Sequence, residues 1–137
     1  KNVFEAIKYL NDKNYYVFII SNQSGIGRGY YSIHDVEKLH YWLRDTLRKK
    51  SAHIDDIFYA SFYANSKLKF TKKERLLRKP NIGMINNANK IWNIDMKNSY
   101  VVGDSIVDKN LASNAKLKYV NVNNSSDLLN IVKKICK

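Results

Sequence analysis

Residues 17–29 read VFIISNQSGIGRG, and the abrupt change of character at Ser21 within this stretch decides the fold. Val17, Phe18, Ile19 and Ile20 are consecutive apolar residues, three of them β-branched, and they follow Tyr15 and Tyr16. Such a run suits a strand buried on both faces of a parallel sheet. From Ser21 onward the chain turns polar. Ser21, Asn22, Gln23 and Ser24 supply hydrogen-bonding groups, Gly25, Gly27 and Gly29 let backbone amides approach an anion, and Arg28 adds a planar cation. Ligands of open α/β sheets gather beyond the carboxyl ends of parallel strands, where this stretch places these groups. A glycine-rich connection after a core strand, with no ligand, has the same composition.

With 137 residues the chain is long enough for one domain with its own core. No apolar run approaches the ~18 residues of a membrane span, and nothing resembles a secretory signal, so a soluble, cytoplasmic monomer with no membrane contact is expected. The single cysteine, Cys136, can neither close an internal disulfide nor build a thiolate metal site, which fits a reducing compartment. The formal charge of +12 suits a nucleic-acid partner, but its Lys and Asn bias also follows from a coding sequence rich in A and T. Seven basic residues and one acid, Glu74, fall within residues 67–79, half of the net charge. A solvated loop explains such a run; a basic rim that speeds the arrival of an anionic substrate explains it too.

Read in order, residues 3–12 have the spacing of an amphipathic helix ending in a turn cluster at 11–14, before a strand at 15–20. Ser32 is a candidate N-cap for a helix reaching about Lys50, with Ile33, Val36, Leu39, Leu43 and Leu47 on one face; His34 and His40 lie off that face. A strand is expected at 57–62, a helix starting at Pro80 and running to Asn93, and a strand at 99–102. A helix at 106–115, a strand at 118–122 and a helix at 125–134 complete the alternation. That order predicts an α/β fold, a three-layer, doubly wound parallel sheet.

Three segments in order carry chemistry: SNQSGIGRG at 21–29, LRKPNIGM at 77–84 and YVVGDSIVD at 100–108. A carboxylate such as Asp104, at the end of a strand, suits a hard cation, and a turn with a helix cap would use the same Gly-Asp pair. Lys79, between Arg78 and Pro80, could stabilise a phosphoryl group in transfer, or be one more surface lysine in a lysine-rich chain. Together the three segments resemble the second, third and fourth motifs of haloacid-dehalogenase-type (HAD) phosphatases, in the branch of the heptose bisphosphate and histidinol-phosphate phosphatases.

The resemblance implies a Rossmann-like HAD domain over residues 1–137 with a small cap or none. It further implies two-step phosphoryl transfer through an aspartyl phosphate with Mg²⁺ as cofactor. Ser21 would bind the transferring phosphoryl beside Asn22, Lys79 would be the third-motif lysine, and Gln23, Ser24, Arg28 and Arg78 would contact the substrate. Asp104 and Asp108 would serve the metal, Asp108 either orienting Lys79 or supporting the metal's waters. Many relatives hold zinc in the loop that corresponds to residues 64–77; residues 61–78 contain neither Cys nor His, so no zinc is expected and packing should hold the loop. The family's first motif, a strand ending in Asp-x-Asp that supplies the nucleophile, does not occur in the chain. The domain is therefore expected to be incomplete at its N-terminal side, lacking its first central strand and leaving a gap between the strands near Ile20 and Val102. The expected function is hydrolysis of a small phosphorylated sugar such as a heptose bisphosphate, in carbohydrate metabolism and lipopolysaccharide synthesis. A polynucleotide 3′-phosphatase, with nucleic acid as partner, and a non-catalytic phosphate-binding module are the alternatives.

Overall fold

The first helix, α1 (Val3–Asp12), forms where its sequence alternates apolar and polar groups at helical spacing, with Glu5 in the first turn complementing the helix dipole. It stops where Asn14 adopts φ 63°, a left-handed conformation that asparagine tolerates. The computed structural model describes residues 1–137. They fall into two compact units, one made of residues 1–19, 33–57 and 124–137, the other of 20–32 and 58–123.

In the first unit α1 packs against α7 (Leu128–Ile135). α7 is N-capped by Asp127, whose side chain accepts a hydrogen bond from the Asn130 amide and another from the Asn2 carboxamide. At its far end the Tyr9 hydroxyl donates to the carbonyl of Cys136, 3.0 Å away, and the Cys136 side chain is buried. The other long helix, α3 (Ile33–Lys49), carries Asp35 in its first turn and Arg48 and Lys49 in its last, both favourable to its dipole. Ile7, Leu47, Ala52 and Ile54 form the unit's core, with Phe4, Val17, Ile19, Leu43 and Ile57 packed around them. Fully burying Leu47 stabilises the unit by about 2 kcal/mol. The buried face of α3 is narrower than its spacing predicts: Val36 and Leu47 are buried, but Ile33 and Leu39 are exposed.

The second unit holds β3 (Tyr100–Gly103) and β4 (Lys118–Asn121), parallel neighbours with Val102 opposite Val120, and α6 (Ile106–Ala115), which crosses between them and packs on both. Its core also takes Met84, Ile85 and Ala88 from α5 (Gly83–Trp92), which ends where Asn93 turns left-handed at φ 49°. α5 begins three residues after Pro80, because residues 78–83 form a turn first: the Asn81 amide donates to Arg78 O and the Gly83 amide to Leu76 O. Residues 64–77, read as a loop, include α4 (Lys72–Arg75), closed by a reciprocal capping pair of Thr71 and Glu74. Packing holds this segment: Phe62 meets Phe70 edge-on at 5.6 Å, and the Arg75 guanidinium lies over the Phe62 ring.

β1 (Phe18–Asn22) pairs with β2 (Asp56–Ala60). The bond from the Asp55 amide to Val17 O, in the first unit, and that from the Gln23 amide to Ala60 O, in the second, show that the two strands run parallel. The bounds of both strands lie one to three residues away from those expected, and Ser21 and Asn22 belong to β1. The glycines that follow form a short helix, α2 (Ser24–Arg28), in place of an open loop. The strands make two separate sheets, β1 with β2 and β3 with β4. β1 and β3 are thus not bonded to each other.

Candidate active site

Ser21 and Asn22 are the last two residues of β1, and Asn22 draws the second motif segment to the strand's end. Its carboxamide accepts from the Lys79 amide at 2.9 Å and donates to the Lys79 carbonyl at 3.2 Å. One side chain thereby copies the pairing of a strand and tethers the Lys79 backbone at both its amide and its carbonyl. The Lys79 ammonium donates to Asp108 Oδ1 at 2.7 Å, with only 15% and 12% of the two side chains exposed. An ammonium has three donors, so two remain for an anion.

Asp108 sits in the first turn of α6, whose N-cap is Ser105. The Ser105 hydroxyl accepts from the Asp108 amide at 3.2 Å and donates to Asp108 Oδ2 at 3.0 Å. Gly103 is needed here, because a Cβ at this position would overlap the Asp108 carboxylate. Burial works against the charged form of Asp108 and is the largest single influence. The Lys79 ammonium, by hydrogen bond and by charge, the Ser105 hydroxyl and the Asp104 amide together outweigh it and hold the carboxyl below its ordinary range. Asp104 itself follows β3 directly and is exposed to solvent.

The structure thus joins Asn22, Lys79, Asp108 and Asp104 into one contiguous chain of groups starting beside Ser21. Gln23 faces back toward the strand: its Nε2 donates to Ser21 Oγ at 2.7 Å. Ser24 opens α2. Arg28 and Arg78 lie elsewhere, along the segment after β2. The Arg28 guanidinium stacks on the Tyr63 ring at 4.0 Å, and Arg78 Nη1 donates to Phe62 O at 3.3 Å. Two tyrosines of the site were not singled out in the sequence. The Tyr119 hydroxyl donates to Gly103 O at 2.9 Å and lies 3.3 Å from Ser105 O, bracing the turn that carries Asp104. Burial and then the charges of Asp108 and Asp104 push its phenol pKa up. Tyr31 bonds to Gln23. Alternation along β4 marks Tyr119 as a face residue, but nothing local to it names the carbonyl it meets.

Two carboxylates, Asp104 and Asp108, are the only acidic groups in this chain of contacts, and no three side chains of His, Cys, Asp or Glu gather anywhere in the protein. Both Asp108 oxygens already accept hydrogen bonds, whereas the Asp104 carboxylate is open to solvent. Such a donor set suits a hard cation that keeps most of its water and takes one or two carboxylates.

A family model described as polynucleotide kinase 3 phosphatase matches residues 1–128. The chain belongs to that family. This family member is similar to the D-glycero-beta-D-manno-heptose-1,7-bisphosphate 7-phosphatase of Rhodopseudomonas palustris, 43% identical over 80% of this chain and 61% of that protein. It is 40% identical to the D-glycero-alpha-D-manno-heptose-1,7-bisphosphate 7-phosphatase of Photorhabdus laumondii, over 75% of this chain and 56% of that one. The family member therefore spans about three fifths of the length of these curated relatives. Its fold matches that of the D,D-heptose 1,7-bisphosphate phosphatase from B. bronchiseptica, crystallised with magnesium and phosphate, at a TM-score of 0.78 and 20% identity, over 96% of this chain and 80% of the other. These likenesses bear out the HAD-type phosphatase family and the α/β fold. No helix of the family member is long and apolar enough to cross a membrane.

Proposed function

We propose that the protein acts as a phosphoric monoester hydrolase on a small phosphorylated sugar, of the heptose 1,7-bisphosphate kind, with both compact units belonging to one hydrolase domain. The observation that carries this reading is Lys79, clasped through its backbone by the Asn22 side chain at the end of β1 and through its ammonium by Asp108. A phosphoryl group in transfer spreads negative charge over its peripheral oxygens, and donors already fixed in place stabilise that charge without reorganising. Ser21 and the two remaining Lys79 donors supply such groups. Arg28 and Arg78, which lie against residues 62–63 after β2, would meet the more distant groups of the substrate, as would Gln23 and Ser24 after β1. These residues hold the phosphoryl and do not attack it. By resemblance the attacking carboxylate is the first acid of an Asp-x-Asp strand, which is not among these residues. Asp104 would hold Mg²⁺, with Asp108 setting Lys79 and touching the ion's waters. A bound Mg²⁺ would offset the repulsion between the attacking carboxylate and the phosphate.

The relatives are named for both anomers of the heptose, so the choice of anomer is left to assay. A polynucleotide 3′-phosphatase is the second reading, favoured by the family description and by the aromatic pair Phe62 and Phe70 beside the basic residues of 67–79. Phosphate release should be measured from both heptose 1,7-bisphosphates and from a 3′-phosphorylated oligonucleotide, using this chain and one extended upstream through an Asp-x-Asp strand. Turnover of a heptose bisphosphate by the extended chain alone is the expected result. Preference for the oligonucleotide would select the second reading, and no turnover by either chain would leave a non-catalytic phosphate-binding module.

A further inference from the structure

Ser21 does not stand alone at the end of β1. Its Oγ accepts a hydrogen bond from Gln23 Nε2 at 2.7 Å, and Gln23 Oε1 accepts in turn from the Tyr31 hydroxyl at 2.6 Å. All three side chains are partly buried and lie within one unit, on a segment that α2 folds back on itself through the bond from the Tyr30 amide to Gly25 O. We propose that Gln23 and Tyr31 are positioning residues that fix the direction of the Ser21 O–H bond. The inference rests on the reading of Ser21 as a hydroxyl that donates a hydrogen bond to the transferring phosphoryl group.

The argument is one of polarity along a short chain of hydrogen bonds. A serine hydroxyl has one proton and two lone pairs, and a carboxamide donates from one end and accepts at the other. Once the Gln23 amide donates to Ser21 Oγ, the serine proton must point elsewhere, and it is free to donate to an anion. If the carboxamide were turned over, its oxygen would face Ser21 and take that proton. The hydroxyl would then present lone pairs to the phosphoryl oxygens and repel them. Energetically the two amide orientations differ little unless a third group chooses between them. Tyr31 makes that choice. Donating from its phenol, it holds the Gln23 oxygen on its own side and leaves the amide end facing Ser21. The same ring explains Gly25 inside α2, because a Cβ there would overlap the Tyr31 ring edge and its hydroxyl. The backbone of α2 is therefore shaped around Tyr31, and the placement of its hydroxyl is built into the fold. Neither residue touches the phosphoryl group in this arrangement, so both act through Ser21.

The test is a double-mutant cycle on the full-length protein, with steady-state turnover of its preferred phosphate ester and affinity for inorganic phosphate as readouts. Tyr31→Phe keeps the ring against Gly25 and removes only the hydroxyl, so the fold should be intact, with a cooperative unfolding transition like the parent's. In the parent protein it should lower kcat/KM by about 5-fold, the loss expected for one neutral hydrogen bond. In a Ser21→Ala background the same substitution should change nothing, because the hydroxyl it orients is gone. An equal loss in both backgrounds, or no loss in the parent, would overturn the positioning role while leaving Ser21 as a phosphoryl ligand. If Ser21→Ala itself keeps full activity and phosphate affinity, the assignment of Ser21 falls, and this inference with it.

Discussion

Lys79 and Asp108 put two nearly buried charges within 2.7 Å of each other, and the balance of such a pair is set by what happens when one member is lost. Removing Lys79 leaves a carboxylate that keeps its desolvation cost and loses its strongest partner. Lys79→Met should therefore cost about 2 kcal/mol of stability, below the range for fully buried pairs because some exposure remains. Asp108→Asn in the same chain should return part of that loss. Urea unfolding of the two single variants and the double variant measures this, and strict additivity would show that the pair contributes nothing. At this scale the motifs singled out residues that the structure brings into contact. Asn22, Lys79, Asp104 and Asp108 were all legible, and the structure joins them. Tyr31 and Tyr119 were not. Their hydroxyls reach groups that are eight and sixteen residues away, and only the turn at 29–31 and the pairing of β3 with β4 decide that reach.

Among the elements, α7 is short and depends on its cap. Asp127 accepts from the Asn130 amide and from Asn2, and these bonds, the amide's first, hold its carboxyl below the usual range. A carboxyl depressed in the folded state adds stability that is fully present above its unfolded value of about 4 and is lost as pH falls through the folded value. Asp127→Ala should lower the thermal midpoint at pH 7, and the difference from the parent should shrink as the medium is acidified through that window. A difference that stays constant with pH would mean that the carboxylate's charge plays no part in the cap. Helices α1 and α6 fall at their expected bounds, α1 because an amphipathic stripe is a local property and α6 because Ser105 caps its first turn. Strand limits were legible only to within a few residues. An apolar run says that a strand is buried, while its ends are set by a partner, here the bond from the Gln23 amide to Ala60 O that extends β1 through Ser21 and Asn22. The glycines of 25–29 show the same limit. Their freedom admits an open anion-binding loop or a helical turn, and the Tyr31 ring lying over Gly25 accompanies the second.

Over the whole molecule, a charge of +12 would steer the arrival of the proposed anionic substrate. The field is densest around residues 67–79, where Lys67, Lys69, Lys72, Lys73 and Arg75 are all exposed. Screening shortens the reach of such a field to about 8 Å at physiological salt and about 3 Å at 1 M. For the active, full-length protein, kcat/KM should fall steadily as salt is raised while kcat holds, because encounter is slowed and chemistry is not. Equal losses in both would place the salt effect at the reacting groups. The order of the motifs made the alternating α/β plan legible, and with it the separation of β1 from β3. The division into two compact units was not legible. It depends on distant segments such as 1–19 and 124–137 packing together, and no local pattern encodes that partnership.

The burial of Cys136 at the end of α7 gives the first unit a chemical clock. The thiol is the chain's sole cysteine, 3% exposed, and burial raises its pKa more than the bond from Tyr15 lowers it. Thiolate forms, and an alkylating reagent reaches it, only while the helix end is lifted away, so the rate of modification counts those openings. Iodoacetamide should label the native protein slowly, with a single exponential, and Asp127→Ala should speed the reaction by loosening the opposite end of the same helix. Labelling at the rate of a free thiol would mean that the last turn of α7 spends most of its time undocked.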